Sequence, residues 1–225
     1  MKNNELILRG LHKLNLDNDE QTNALINLIQ GYLQEIMTFN QKFNLIGDKR
    51  AEDIIIKHIF DSLAGFYKFK ETVSQKKGAL KIADMGSGAG LPGIPLAIAF
   101  KSIDLPVKIT LIERMKKRCT FLHNVKAVLN LNHIEIQEED IKNVKNHFDI
   151  VTCRAFTTLT PAILNKMKNI TTASGKIILY KGNIQKTENE LEKISSYLNI
   201  PFKYKIEPIT TPLLNAERCL AIISP

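Results

Sequence analysis

A glycine-rich loop is the part of the sequence best suited to bind a ligand. Residues 84–93 read DMGSGAGLPG and follow a short buried strand, at the point where a helix begins. Glycines at such a turn let the backbone approach a ligand closely, and an open α/β sheet binds its ligands at the carboxyl ends of its strands. The sequence therefore predicts a cofactor site at this loop.

Two classes of cofactor fit the glycine spacing. Gly88, Gly90 and Gly93 satisfy the dinucleotide pattern G-x-G-x-x-G, which would make the chain an NAD-dependent oxidoreductase. Asp84 at the strand tip would repel a pyrophosphate, whereas S-adenosylmethionine has no phosphate and carries a cationic sulfonium and ammonium. Because no hydride-transfer site is recognisable downstream, the loop favours S-adenosylmethionine.

Acidic residues follow the next two predicted strands. Glu113 ends the second strand, where a carboxylate can accept both ribose hydroxyls of an adenosine. Asp140 follows the third strand, where the adenine N6 amino group needs an acceptor, and Glu138 and Glu139 compete for that role. These positions extend the predicted cofactor site across three strands.

Two cations and a histidine are candidate contacts for the molecule that accepts the methyl group. Arg154 and Lys181 end adjacent strands, where they either contact a phosphate or a base edge of a nucleic acid or extend into solvent. His58 and Asp61 stand three apart on one helix. His58 is then either a base or RNA contact at the pocket mouth, or a packing residue held by Asp61.

Residues at the end of the fourth predicted strand bear on the kind of atom that accepts the methyl group. Residues 149–155, DIVTCRA, hold no Asn/Asp-Pro-Pro-Tyr/Phe motif of the kind used to methylate exocyclic amines. Cys153 is a candidate nucleophile for methylation at pyrimidine C5, although no Pro-Cys element surrounds it.

Two parts of the chain with different predicted secondary structure must position these residues. Residues 1–77 predict a helical extension, with Asp17 capping a long helix, Gly47 interrupting the pattern and a third helix from Asp53 to Phe69. A polar connector, 74–78, leads to a domain over residues 78–225 in which strands and helices alternate. Seven strands are expected, over 80–85, 107–112, 134–137, 148–152, 176–180, 202–209 and 218–223, with helices over 115–129 and 187–198. This order predicts an α/β fold with a mostly parallel sheet that ends in an antiparallel hairpin.

The composition limits the kinds of partner and cofactor that we expect for the chain. The net charge is +8, from 31 Lys+Arg against 23 Asp+Glu, which favours a polyanion such as nucleic acid, or reflects only a lysine-rich composition. Three widely spaced cysteines without a CxxC pair argue against a disulfide framework and a cysteine zinc site. The start of the chain lacks the apolar run of a signal peptide, and the longest apolar stretch, 91–100, is too short to span a bilayer. We expect a cytoplasmic monomer with no metal and no membrane partner.

Taken together, these residues resemble the ribosomal small-subunit methyltransferase G family, also called glucose-inhibited division protein B. The resemblance runs in order from about residue 40 to the C-terminus. Its carriers are FNL at 43–45, HIFDS at 58–62, DMGSGAGLPGIP at 84–95, KR at 117–118, RA at 154–155, KG at 181–182 and ER at 217–218. Two departures are Glu113, where the family often has Asp, and the stretch 138–141, where it usually has Arg-Ala-Glu or similar.

The resemblance implies a class I, Rossmann-like methyltransferase that modifies N7 of one guanine in 16S ribosomal RNA, free or within the small ribosomal subunit. A non-catalytic ribosome-binding protein on the same fold is the alternative. The implied S-adenosylmethionine contacts are Asp84, Gly86, Ser87, Gly88, Gly90, Leu91, Glu113, Asp140, Ile141 and Arg154. The implied catalytic residues are Arg154, Lys181 and His58, and the implied RNA contacts are Lys117, Arg118, Lys181 and Arg218.

Overall fold

A seven-stranded sheet forms the centre of the molecule. The computed structural model describes residues 2–17, 21–74, 78–155, 158–198 and 202–225, and within these the strand order is β3-β2-β1-β4-β5-β7-β6. Strands β1 to β5 pair in parallel, and β7 runs antiparallel between β5 and β6. The predicted α/β class and the antiparallel hairpin are confirmed. The strands are β1 Leu80–Met85, β2 Val107–Glu113, β3 Ile134–Glu138, β4 Phe148–Arg154, β5 Thr171–Lys181, β6 Tyr204–Ile209 and β7 Arg218–Ile223.

The parallel pairing brings the candidate site residues at the strand ends to one edge of the sheet. The carboxyl ends of β1 to β5 share that edge, and the register pairs Lys181 of β5 with Cys219 near the start of β7. Because β7 is antiparallel, its first residue, Arg218, lies at the same edge. Residues from opposite ends of the sequence therefore meet where the predicted cofactor loop lies.

The N-terminal part of the chain is helical, in shorter pieces than the sequence pattern predicts. Its elements are α1 Lys2–Lys13, α2 Thr22–Phe43, α3 Ala51–Ile54, a π-helical segment Ile55–Phe60, α4 Asp61–Leu63 and α5 Phe66–Ser74. The single helix predicted over 53–69 is wrong, because the π-helical turns and a break after Leu63 divide it. The predicted connector begins inside α5, and residues 75–77 lie outside the described residues.

Two predicted boundaries of α2 also fail. Asp17 does not cap it, because its carboxylate accepts a hydrogen bond from His12 Nδ1 at 2.6 Å and the helix begins only at Thr22. The helix ends before Gly47, because Asn44 adopts a left-handed conformation with φ 46° and its amide donates to the Asn40 carbonyl. The turn residue that stops the helix is thus an asparagine rather than a glycine.

The remaining helices cover the two faces of the sheet. They are α6 Gly93–Ser102, α7 Lys116–Val128, α8 Pro161–Asn169 and α9 Ile184–Leu198, of which α8 was not predicted. Strand β5 begins at Thr171 rather than 176, because Thr171 already pairs with Phe148 across a register irregularity. One apolar core joins the N-terminal helices, α6 and α7 to one sheet face, and a second core lies under α8 and α9.

Two buried tyrosines connect the N-terminal helices to the sheet. The hydroxyl of Tyr32, on α2, donates to the carbonyl of Ala89 in the glycine loop at 2.6 Å. The hydroxyl of Tyr180, on β5, donates to the Ser62 carbonyl at 2.7 Å. The helical segment is therefore attached to the loop and strand tips by polar contacts as well as by apolar packing.

Replacing Tyr32 with Phe tests this attachment. The change removes the donor and leaves the Ala89 carbonyl unpaired, so we expect the free energy of unfolding to fall by about 1–3 kcal/mol in urea titrations. Tyr197→Phe is the control, because Tyr197 is 78% exposed and should leave stability unchanged. Equal stabilities for the two variants would show that the Tyr32 hydrogen bond contributes nothing.

Candidate functional site

A cavity of about 680 Å³ lies at the carboxyl edge of the sheet. Its walls come from the glycine loop, the end of β2 with the start of α7, the segment after β3, the end of β4, and a loop between α2 and α3. The lining residues are Leu45, Ile46, Gly47, His58, Gly86, Ser87, Gly88, Ala89, Leu91, Ile112, Glu113, Arg114, Met115, Arg118, Glu139, Asp140, Ile141, Lys142, Arg154, Ala155 and Ile163.

The glycine loop has a backbone that other residues would strain. Gly88 and Gly90 have φ of 60° and 88°, in the left-handed region. A Cβ on Gly90 would also lie 2.4 Å from Ile94 Cγ1, whereas the space beside Gly88 is open apart from contacts at 3.8 Å and beyond. Gly90 therefore serves the packing of the loop, and Gly88 presents bare backbone to the cavity.

Asp84 lies behind the loop rather than in the cavity wall. Its side chain is fully buried, and Oδ2 accepts hydrogen bonds from Ser87 Oγ at 2.6 Å and from the Gly93 amide at 3.0 Å. Burial raises the pKa of Asp84 to about 6, against the opposing effect of those two bonds. Its other oxygen, Oδ1, has no hydrogen-bond partner in the described part of the chain. At neutral pH this carboxylate is mostly ionised and places negative charge beneath the loop.

Glu113 lines the cavity as a buried carboxylate that has acceptor capacity left. It is 4% exposed; Oε2 accepts from the Gly88 amide at 3.0 Å and Oε1 from the Met115 amide at 2.9 Å. Arg118 Nη1 lies 3.6 Å from Oε2. An ionised carboxylate offers about four lone-pair sites, so it can still accept hydroxyl groups from a ligand.

The segment after β3 places two of the three candidate acceptors for the adenine amino group in the cavity lining. Asp140 and Ile141 line the cavity as predicted, and so does Glu139, whereas Glu138 does not. Asp140 Oδ1 accepts from the Lys142 amide at 2.9 Å, which forms a local turn. The structure thus removes one of the three competing carboxylates.

Asp61 joins three parts of the chain through one buried carboxylate. Its side chain is 5% exposed, Oδ2 accepts from Arg154 Nη1 at 2.9 Å, and Oδ1 accepts from Arg218 Nε at 2.8 Å. Thr211 Oγ1 also donates to Oδ1 at 3.0 Å. A buried carboxylate is costly unless it is paired and hydrogen-bonded. This cluster, which we call the Asp61 clamp, satisfies that requirement with two guanidinium groups.

His58 contacts the clamp but does not pair with Asp61. Arg154 Nη2 donates to His58 Nδ1 at 3.1 Å, and His58 Nε2 lies 2.9 Å from Asp48 Oδ2. Burial lowers the pKa of His58, Arg154 lowers it further, and the bond to Asp48 opposes both. The neutral ring then carries its proton on Nε2, and this N–H donates a hydrogen bond to Asp48 Oδ2. The predicted packing pair with Asp61 is wrong, because the hydrogen-bond partners of His58 among the described residues are Asp48 and Arg154.

The four cations predicted to contact RNA differ in their partners and in their distance from the cavity. Lys181 Nζ binds Glu190 Oε2 at 2.6 Å, and Arg218 is held by Asp61. Lys117 lies over the Phe43 ring, while Arg118 lines the cavity beside Glu113. The predicted site residues that do not line the cavity are Asp84, Gly90, Lys117, Lys181 and Arg218.

Cys153 has the wrong environment for a nucleophile. Burial, together with the nearby Asp84 carboxylate, raises the pKa of its thiol to about 12. A cysteine attacks as its thiolate, which such a pKa makes scarce at neutral pH. The geometry therefore argues against cysteine-mediated methylation at pyrimidine C5.

The wall formed by Leu45, Ile46 and Gly47 was not predicted from the sequence. Asn40 holds this loop, because its Nδ2 donates to the Asp48 carbonyl at 3.2 Å and its Oδ1 accepts from the Ile46 amide at 3.0 Å. The FNL stretch at 43–45 carried the family resemblance, and this was a signal that the region had a role. Only the fold shows that the loop closes one side of the cavity.

Comparison with known proteins decides the family. Residues 25–212 match the profile described as GidB, rRNA small subunit methyltransferase G. The chain belongs to the rRNA small subunit methyltransferase G family. It is 41% identical to the ribosomal RNA small subunit methyltransferase G of Treponema denticola, over 98% of this chain and 94% of that protein. The counterpart from Brachyspira hyodysenteriae is 37% identical, over 88% of this chain and 89% of its own length.

A solved structure supports the fold of this methyltransferase G family member. The magnesium protoporphyrin IX methyltransferase from Synechocystis PCC 6803 with bound S-adenosylmethionine has a TM-score of 0.58 at 16% identity, covering 86% of this chain and 97% of that one. The predicted family, class I fold, methyltransferase activity and cofactor are confirmed: the chain is an S-adenosylmethionine-dependent rRNA methyltransferase. None of the helices in the described ranges has the length and apolar character needed to cross a membrane.

The Asp61 clamp makes a prediction about stability. Asp61→Asn keeps the shape of the side chain but removes the charge that neutralises two guanidinium groups. We expect the free energy of unfolding to fall by about 3 kcal/mol, as for other buried ion pairs that lose one partner.

Asp53→Asn is the matched control for Asp61→Asn. Its partners Arg50 and Lys57 have side chains that are 73% and 44% exposed, so solvent screens the loss. Urea titration of both variants gives the comparison. A loss for Asp61→Asn no larger than that for Asp53→Asn would show that the clamp does not stabilise the fold.

Proposed function

We propose that the cavity binds S-adenosylmethionine and that the chain methylates N7 of a guanine in 16S ribosomal RNA. The observation that supports this most strongly is the pair of buried carboxylates, Asp84 and Glu113, on either side of a glycine loop with bare backbone. A cationic ligand without phosphate suits this environment, and a dinucleotide does not. The family to which the chain belongs has this activity and points to small-subunit RNA.

The residues around the cavity fit the cofactor. Glu113 would accept the ribose hydroxyls with its free lone pairs, and Asp140 or Glu139 with Ile141 would meet the adenine. Gly86 to Gly88 and Leu91 line the wall between them. When bound, S-adenosylmethionine supplies an electrophilic methyl group on its sulfonium.

Two buried polar atoms near the glycine loop and the end of β4 have no partner among the described residues. They are Asp84 Oδ1, behind the glycine loop, and Arg154 Nε, at the end of β4. Unpaired buried polar atoms are costly, so they favour a water molecule or a polar ligand group beside them.

Transfer to guanine N7 asks little acid-base chemistry of the protein. Both ring nitrogens of His58 are hydrogen-bonded within the described structure, and the Cys153 thiol stays protonated, so neither is poised as a base or nucleophile. N7 already has its lone pair, so residues need only orient the base and exclude water. We assign that orienting role to Arg154, with His58 holding its guanidinium in place.

The RNA contacts also remain part of this proposal. Lys117, Arg118, Lys181 and Arg218 would meet phosphates around the cavity, in keeping with the net charge of +8. The division into a helical extension, 1–77, and a cofactor domain, 78–225, a cytoplasmic location and a monomeric state complete it. The extension then serves the reaction directly, because its loop at 45–47 forms one wall of the cavity.

Glu113→Gln tests the cofactor site. If the carboxylate accepts the ribose hydroxyls, losing its charge should weaken S-adenosylmethionine binding by about 1–3 kcal/mol in calorimetry. Glu135→Gln, on the neighbouring strand but with an exposed side chain, should bind as wild type. Wild-type affinity for Glu113→Gln would mean that another group holds the ribose, and tight binding of NAD would revive the oxidoreductase alternative.

The reaction itself is tested on rRNA from a strain that lacks this protein. Small subunits and free 16S rRNA are incubated with the protein and methyl-labelled S-adenosylmethionine, and 7-methylguanine is located by borohydride reduction and aniline cleavage. We expect label at N7 of one guanine. Label on an exocyclic amine or a pyrimidine, or its absence from both substrates, would overturn the proposal and leave a non-catalytic role.

Arg154→Lys tests the orienting role in the same assay. Lysine keeps the charge but loses the planar fork that contacts Asp61 and His58. We expect methyl transfer to slow about 100-fold, since small misplacements of a reacting group have effects of that size, while cofactor affinity changes little. Arg50→Lys, on the exposed surface, is the control. If cofactor affinity collapses instead, Arg154 belongs to the cofactor site.

A further inference from the structure

Two exposed apolar side chains lie at or near the cavity, one in its lining and one two residues before its wall at 45–47. In the described part of the chain the exposed large apolar residues are Leu8, Phe43, Tyr67, Met115, Val128, Tyr197 and Leu213. Of these, Met115 is 48% exposed and lines the cavity, and Phe43 is 43% exposed and precedes the cavity wall at 45–47. Lys117, which lies over the Phe43 ring, is next to Arg118 in the cavity lining. The contact with Lys117, two residues along the chain from Met115, therefore places the Phe43 ring near the start of α7.

The Phe43 ring is supported from beneath. Phe121, fully buried on α7, packs edge-on against Phe39 with ring centroids 5.2 Å apart. Phe39 in turn lies 5.9 Å from Phe43 at an interplanar angle of 36°. Phe43 is also the last residue of α2, immediately before the left-handed Asn44. The aromatic column leads from the core to the surface and holds its outermost ring in a defined position.

Exposed cations lie at the start of α7, next to Met115. Arg114, Lys116 and Lys117 are exposed, and none of them forms an ion pair within the described ranges. Lys117 Nζ lies 5.9 Å from the Phe43 centroid, near the outer limit for a cation–π contact. An ammonium held so loosely over the ring can move to a neighbouring phosphate.

We propose that Phe43 and Met115 form a stacking surface for an unpaired RNA base next to the methylated guanine, with Arg114 and Lys117 on its phosphates. This inference rests on the proposed function, because it names how the RNA substrate of that site is held. Aromatic rings combined with basic side chains are the usual means of binding single-stranded RNA. A guanine that leaves its stack to enter the cavity also deprives its neighbour of a stacking partner, which the Phe43 ring replaces.

The test compares ring removal with ring retention. The probe is a single-stranded oligoribonucleotide in which 2-aminopurine stands beside a guanine. The fluorescence of 2-aminopurine is quenched when this base stacks. We expect Phe43→Leu to lose the quenching and to bind about tenfold more weakly, the size of effect seen when one stacking partner is removed. Phe43→Tyr should keep both, since it retains the ring. Tyr197→Leu removes an exposed aromatic ring on α9 and should bind as wild type.

Salt dependence separates stacking from phosphate contacts. Phe43→Leu should leave the slope of log affinity against log salt unchanged, because stacking releases no counterions. Lys117→Ala should lower that slope by about 0.7, the value for one phosphate contact on single-stranded nucleic acid. Unfolding and S-adenosylmethionine titrations of Phe43→Leu should match wild type, which excludes loss of the fold as the cause.

Several results would overturn the stacking surface. Wild-type quenching and affinity for Phe43→Leu would do so, as would an equal loss for Tyr197→Leu. The binding assay needs no methyl transfer, so its outcome is separable from that of the proposed function. N7 methylation by wild type together with unaffected binding by Phe43→Leu rejects the stacking surface alone. Ring-dependent quenching without methylation rejects the proposed reaction and supports the surface.

Discussion

The buried carboxylate of Asp61 is the contact on which the site depends. A carboxylate that is 5% exposed must be neutralised, and its partners Arg154 and Arg218 are 93 and 157 residues away in the chain. Satisfying it therefore brings the segment 55–63 against the ends of β4 and β7. Arg154 then reaches His58, and His58 reaches Asp48 at the end of the loop that walls the cavity. One electrostatic requirement thus aligns the helical segment with the sheet.

The sheet side of the cavity follows a second electrostatic pattern. Asp84 lies under the glycine loop and Glu113 beside it, and the neighbouring Glu113 charge adds to the burial that raises the pKa of Asp84. Each carboxylate is held by backbone amides or a hydroxyl of the loop, so their charge also fixes the shape of the turn. In the proposed function, negative charge at the glycine loop favours a cationic methyl donor inside the cavity, and positive charge around the opening favours a polyanion at the rim.

Local patterns predicted the sheet side well. Strands β1 and β7 have the predicted bounds, and Gly88 and Glu113 face the cavity as expected, because buried strands, glycine turns and strand-end acids leave short-range signatures. The helical side was less predictable. The partners of His58, Lys181 and Asp17 depend on which segments meet in space, and Asn44 ended a helix that glycine was expected to interrupt. The wall at 45–47 could not be predicted either, because its position depends on hydrogen bonds from the Asn40 side chain and on the packing of α2.

We propose that the cofactor lies in a cavity shared by the sheet and the loop of the helical segment. Amide hydrogen exchange with and without S-adenosylhomocysteine tests it most directly, because the two walls report separately. We predict slower exchange on binding both at residues 86–89 with 113–115 and at residues 45–48. Protection confined to the sheet residues would exclude the helical loop from the site. Protection of neither wall would place the cofactor elsewhere and contradict the account.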